Sequence, residues 1–238
     1  MLLAIVFASS FVLFGVGTGF GGLQDILLQE RATGGGPSEN DARDEIKNHP
    51  NNAQGYRDLA TALQNNGKSD QSLEPLAKYV ALKPTDIDAQ RELAGLYLRQ
   101  ADTYRTQAIA AQVALQDDVP GTAFQPSSSS KIGQALASNP IDQALSTTHN
   151  TALNDAFTKM STAYTNAVTA YKAVAKAQPR DPAVQFELAQ TAEAANDLTT
   201  AVTAYKTFLK LAPEDQSAAA VRQHLKELEQ RVSPASSG

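Results

Sequence analysis

Residues 182–215, PAVQFELAQTAEAANDLTTAVTAYKTFLKLAPED, set beneath residues 53–86, AQGYRDLATALQNNGKSDQSLEPLAKYVALKPTD, decide the fold of this 238-residue chain. Both stretches are 34 residues long, and both close on a proline two places before an aspartate. The spacing extends beyond them: Pro50, Pro84, Pro179 and Pro213 stand 34, 95 and 34 residues apart, so the middle gap is one period with 61 residues inserted. Other positions keep the phase. Leu59-Ala60 recurs as Leu93-Ala94 and again as Leu188-Ala189, while Ala167 and Tyr171 recur as Ala201 and Tyr205. Proline lacks a backbone N–H and pushes the residue before it out of the α region, so each proline marks the end of a helix.

Composition agrees with a helical reading. The chain holds 40 alanines and is 42% apolar, so its core is rich in the residue of highest helix propensity. It has no cysteine, which excludes a disulfide scaffold, a zinc ribbon and a thiol nucleophile. A net charge of -5, from 25 acidic against 20 basic residues and with no run of Lys and Arg, gives no attraction to nucleic acid.

A 34-residue helical period with these residue types resembles the tetratricopeptide repeat family. In residues 53–86 the pattern positions are filled in order by Tyr56, Leu59, Ala60, Leu63, Gly67, Ser72, Leu76 and Pro84, with Tyr79 where alanine is usual. The repeat at 182–215 offers Leu188, Ala189, Ala192, Ala201, Tyr205 and Pro213; Phe186 falls one place after the usual aromatic, and Asn196 replaces the turn glycine. Asparagine tolerates the left-handed conformation, so that turn survives. The middle repeat, 87–179, begins with Leu93, Ala94 and Tyr97 and ends with Ala167, Tyr171 and Pro179. The resemblance implies an all-α chain whose domain at 38–232 is a solenoid of stacked helix pairs, each burying on its neighbour an apolar face it cannot bury alone. A helix at 216–232, with the stripe Val221, Leu225, Leu228 and Val232, reads as its cap, and 233–238 as a disordered tail.

The insertion is patterned too. Tyr97, Ala101, Tyr104, Ala108, Ala111 and Leu115 follow steps of four and three, which predicts one helix from about Asp88 to Gln116. Asn139-Pro140 is a helix start, and Leu153, Phe157, Met160, Tyr164, Val168 and Tyr171 carry a stripe back into the repeat. One repeat is therefore extended into a long antiparallel helical hairpin, joined by a mobile turn at 117–138 that contains Pro120-Gly121 and four serines.

Met1 to Gln24 carries no charge, and Leu2 to Phe20 as a helix would span about 29 Å, close to the ~30 Å of a bilayer's hydrocarbon. Residues 1–22 read as a transmembrane anchor, with a cleaved signal as the alternative; the segment lacks both the basic start and the Ala-x-Ala site of a signal. Gly17 to Gly22 satisfies GxGxxG, but no alternation of strands and helices follows, so the glycines end the membrane helix. Residues 23–37 supply a short interfacial helix and a glycine-rich linker. Charge alone does not orient the span. Similarity to bacterial single-span tetratricopeptide proteins implies a domain outside the cytoplasm.

The sequence offers no chemistry. His49, His149 and His224 form no ligand pair and read as surface histidines, and neither a GxSxG elbow nor a GxxxxGK[ST] loop is present. No catalytic residue, cofactor or metal site is expected. The resemblance implies instead a concave groove for a protein partner, lined by Gln54, Arg57, Asp58, Thr61, Gln64 and Asn65, then Asp88, Arg91, Leu98 and Arg99, then Phe186, Glu187 and Gln190. Arg57 and Arg91 hold equivalent positions and together suit an acidic segment, unless Asp58 and Glu92 pair with them. Self-association through the hairpin is the alternative role.

The anchor reading predicts that the full-length chain stays with the membrane through carbonate extraction and keeps Leu2 to Phe14 in its intact mass. A soluble mature species beginning near Gly19 overturns it.

Overall fold

The computed structural model describes residues 36–117, 127, 129–131, 133 and 140–232. The expected anchor at 1–22, nearly all of the linker, most of the turn at 117–138 and the tail at 233–238 lie outside the described residues. The described part of the chain is all-helical: α1 (Glu39–Asn48), α2 (Ala53–Asn65), α3 (Ser69–Leu82), α4 (Ile87–Asp117), α5 (Pro140–Ala177), α6 (Pro182–Ala194), α7 (Leu198–Leu211) and α8 (Ala218–Val232). Among the described residues no helix is long and apolar enough to cross a membrane. The helices belong to two compact units that divide within α4, between Leu93 and Ala94.

Two kinds of turn recur. After α1, α3, α5 and α7 the chain closes with the same pair of backbone bonds, from His49, Lys83, Gln178 and Ala212 N–H to the carbonyl four residues back, and from Asn52, Asp86, Asp181 and Asp215 N–H to the carbonyl three back. The second member of each set then caps the next helix with its side chain. Asn52 accepts from Gln54 N–H at 3.1 Å, Asp86 from Ala89 at 3.0 Å, Asp181 from Ala183 at 2.9 Å and Asp215 from Ser217 at 2.8 Å. An amide or carboxylate oxygen there satisfies one of the N–H groups that the first helical turn leaves without a partner.

The other turn joins α2 to α3 and α6 to α7. Gly67 and Asn196 both take a positive φ, +74° and +59°. Lys68 and Asp197 N–H reach back to the carbonyls of Leu63 and Ala192, each at 2.8 Å, while Gly67 and Asn196 N–H bond to Gln64 and Glu193 at 2.9 Å. This is the Schellman arrangement, which needs one left-handed residue. Asn196 supplies it in place of glycine.

In the first unit Ala42, Leu59 and Leu63 pack together with Ile46 against them, joining α1 to α2. Gly55 permits that approach: a Cβ there would lie 3.1 Å from Glu45 Cγ and 3.2 Å from Ile46 Cγ1. Ser72, completely buried on α3, donates its hydroxyl to the Ser69 carbonyl at 2.7 Å and so adds no unsatisfied polar group.

The second unit contains the remainder of α4, which pairs with α5. Asp102 and Arg105 on α4 act on Tyr164 of α5, and Lys159 Nζ of α5 stands 5.8 Å from the Tyr104 ring centre. Among the buried residues are Ala101 and Ala108 on α4 and Ala156, Ala163 and Ala170 on α5, each seven apart. Seven-residue spacing keeps them on one seam. Of the stripe expected on α5, Val168 and Tyr171 are buried and Leu153, Met160 and Tyr164 partly buried, but Phe157 is 41% exposed and Ala156 beside it is buried. Alanines line the seam, and the side chains of Tyr104, Met160 and Tyr164 are partly buried. Farther along, α6 packs on α5 and α7 through Val184, Leu188, Ala189, Ala192, Ala201, Tyr205 and Phe208. α8 then packs on α7, burying Ala218, Val221, Leu225 and Leu228.

The left-handed turns give a direct test in urea unfolding. Gly67→Ala, whose added methyl meets nothing within 4 Å, is expected to cost about 1 kcal/mol through backbone strain alone. Asn196→Ala should cost a similar amount, and Asn196→Gly should leave the midpoint unchanged or higher. Loss from Asn196→Gly equal to that from Asn196→Ala would show that the asparagine side chain, not its backbone angle, holds the turn.

Candidate functional site

The residues expected to line a groove divide between the units, eight in the first and five in the second. In the first, α2 presents Arg57, Thr61 and Gln64 on one face, because steps of four and three return to the same side of a helix. Arg57 and Gln64 meet Glu92 on α4. Arg57 Nη1 forms an ion pair with Glu92 Oε2, and Gln64 Nε2 donates to Glu92 Oε1 at 2.7 Å. The Arg57 guanidinium also lies 5.7 Å from the centre of the Tyr79 ring, within range of a cation–π attraction. Tyr79 donates its hydroxyl to Asp86 Oδ2 at 2.6 Å, and Asp86 caps α4 with its other oxygen.

This network has a consistent electrostatic direction. Burial works against the Asp86 charge, but the Tyr79 hydroxyl, the Ala89 N–H and Arg57 outweigh it and hold the carboxyl below its usual range. The hydrogen bond to Asp86 in turn pushes the Tyr79 phenol up. Of the two partners considered for Arg57, Glu92 takes the guanidinium, while Asp58 accepts from Gln54 Nε2 at 2.7 Å. Thr61 turns its hydroxyl onto the Arg57 carbonyl at 3.0 Å. Arg91 is partly buried, Asp88 is exposed, and Asn65 lies on the rim of a polar depression of about 610 Å³ between the starts of α1 and the end of α2, near Ser38, Asn66 and Lys68.

In the second unit Leu98 is partly buried and Arg99 exposed on α4, and Glu187 and Gln190 are partly buried on α6. Phe186 faces α7: its ring centre lies 6.0 Å from that of Tyr205, edge-on, and 5.1 Å from that of Phe208. Two turns farther on, Glu193 joins three helices. Its Oε2 accepts from the Tyr205 hydroxyl at 3.2 Å, and His224 Nε2 lies 2.7 and 2.9 Å from its two carboxylate oxygens. The imidazole also meets the Tyr205 ring at 5.8 Å and 89°.

His224 therefore departs from the surface position expected of it, with 27% of its side chain exposed. Val221, His224, Leu225 and Leu228 fall on one face of α8, so the packing that buries the leucines also draws in the histidine. The hydrogen bond to Glu193 raises its pKa against the opposing effect of burial. Burial and the Glu193 charge push the Tyr205 phenol well above its ordinary value, so it remains a donor throughout the physiological range.

Sequence reasoning passed over Tyr79, Asp86 and the clustering of Glu193 with His224. A signal existed for the first two: Tyr79 departs from the alanine usual at its position, and Asp86 belongs to the series Asn52, Asp86, Asp181 and Asp215 at the repeat spacing. Among the described residues no group of three or more acidic or histidine side chains is placed to hold a metal ion. No family model matches the chain, and no curated protein matches it.

The Arg57–Glu92 pair predicts a measurable coupling. With side-chain exposures of 32% and 21%, a double-mutant cycle of Arg57→Ala and Glu92→Ala should give about 1 kcal/mol in unfolding free energy. The corresponding cycle of Arg57→Ala with Asp58→Ala should give a few tenths at most. The reverse order would assign the guanidinium to Asp58.

Proposed function

We propose that the chain is a membrane-anchored, non-catalytic scaffold of tetratricopeptide type that holds a protein partner beside the bilayer, on the side away from the cytoplasm. The observation that carries this reading is the recurrence of one turn, with the same backbone bonds and the same capping position, at the sequence spacing of the four prolines. Helix pairs repeated on that spacing are the physical basis of stacked-repeat binding domains. The uncharged first 24 residues supply the anchor in this reading, and the absence of a catalytic motif supports a binding role.

In this reading binding falls on the exposed positions of the expected groove. Arg57 and Gln64 are engaged by Glu92, and Phe186 by Tyr205 and Phe208. Exposed Asp88 and Arg99 are therefore the better contacts.

A second reading, self-association through the hairpin, is favoured by a different surface. Ile109 and Val113, one turn apart on α4, are 52% and 49% exposed, and Leu145 on α5 is exposed as well. Residues 106–116 and 144–154 hold no Asp, Glu, Lys or Arg. Exposed aliphatic side chains without neighbouring charge are a common mark of a contact surface.

Crosslinking in the native host, followed by mass spectrometry, separates the two. The scaffold reading predicts that a heterologous partner is captured, that replacing residues 103–162 by a short turn preserves the capture, and that Asp88→Ala with Arg99→Ala weakens it several-fold. Capture of the chain by itself alone, abolished by Val113→Lys, would establish the second reading.

A further inference from the structure

The apolar stripe of α8 is interrupted at its centre by an ionisable group. Val221, Leu225 and Leu228 are buried, and His224, on the same face, meets a carboxylate from α6 and an aromatic edge from α7. We infer that His224, Glu193 and Tyr205 form a proton-sensitive latch that fastens the C-terminal helix to α6 and α7 in acid and loosens it as pH rises. The inference is independent of the binding role proposed above.

The geometry makes the latch responsive. Glu193 receives two donors, the Tyr205 hydroxyl and the imidazole Nε2, and both of its oxygens lie within 2.9 Å of that nitrogen. When the imidazole is protonated the contact is a partly desolvated ion pair as well as a hydrogen bond; when it is neutral only the hydrogen bond remains. The charged and titratable groups around the ring are Glu193 from α6, Tyr205 from α7, and Glu227 and Arg231 from α8 itself. Glu227 favours the cation and Arg231 opposes it. The phenol keeps its proton, so it stays a donor while the histidine titrates.

The sign follows from which state holds the proton more tightly. In the docked helix the histidine is raised above its ordinary value of 6.5, whereas in a detached helix it returns to about 6.5. Docking is therefore strongest below about pH 6.5 and weakens as pH climbs through the raised docked value. Two other ties of α8 do not involve the imidazole. Lys206 pairs with Glu229 at 2.7 Å, and Arg222 donates to the Pro213 carbonyl at 2.6 Å. Loosening would uncover Val221, Leu225 and Leu228 together with Tyr205, an apolar face whose exposure is thereby tied to proton concentration.

The test is hydrogen exchange with mass spectrometry on the full-length chain between pH 5.5 and 8.5, corrected for the intrinsic pH dependence of exchange. Protection of the peptide covering Ala218–Val232 should fall about fivefold relative to α6 across that range, the size expected of an ion pair of this exposure. In His224→Gln the same ratio should stay flat. An identical pH trend in wild type and His224→Gln overturns the latch. Should His224→Gln fail to fold, the histidine's titration is followed by NMR in wild type and in Glu193→Gln: a midpoint higher in wild type supports the latch, and equal midpoints overturn it. His49, which pairs with Glu45 on α1 at 3.1 Å, lies outside the peptide measured and serves as an internal control.

Discussion

Each odd-numbered helix of the first three pairs, and α7 after them, ends in one short turn whose last residue caps the helix that follows. The Asn or Asp at 52, 86, 181 and 215 performs two functions at once: its N–H closes the turn, and its side-chain oxygen accepts from the next helix's first amides. Since both groups belong to one residue, the direction in which a helix leaves is tied to the place where its predecessor stopped. Everything downstream depends on that tie. A helix that started one residue late would rotate its apolar face by about 100° and present polar side chains to the core.

Within this frame the polar residues of the interior do not act singly. Arg57, Glu92, Gln64, Tyr79 and Asp86 form a chain of contacts across α2, α3 and the start of α4. Glu193, Tyr205 and His224 do the same across α6, α7 and α8. Partly buried charges are tolerated when their partners come with them, and removing one partner leaves the other desolvated and uncompensated. Such networks add little net stability compared with apolar packing, but they select one arrangement of helices over neighbouring ones. They also draw polar side chains away from the surface, which is why several residues suited by position to a groove are committed elsewhere.

The hairpin of α4 and α5 follows a different rule. Its seam is alanine at seven-residue intervals, which brings the helices close and leaves larger side chains at the flanks or, in Phe157, Ile109 and Val113, exposed. Alanine contributes little apolar area, so the stability of this pair rests on close packing along many turns more than on the burial of any one residue. The exposed aliphatic residues are the counterpart of that choice.

How much of this was legible beforehand depends on whether the deciding contact is local. The helix spans, the insertion as two long helices and the left-handed Asn196 turn all follow from signals within a few residues: proline stops, stripes of three and four, and one residue's tolerance for positive φ. The anchor at 1–22 is likewise a reading of composition. The partner of Arg57 was not decidable from sequence. Asp58 is adjacent and Glu92 is 35 residues away, and only the packing of α2 on α4 brings the distant carboxylate within reach while Asp58 turns to Gln54. Phe157 was misplaced because a stripe of large residues and a stripe of alanines run side by side on α5, and periodicity alone cannot say which of two neighbouring faces meets the other helix. His224 shows the limit most plainly. One histidine among charged residues reads as surface, and it took the docking of α8 beside Glu193 and Tyr205 to give it a buried edge, a carboxylate and a raised pKa, since these are properties of its surroundings and not of the residue.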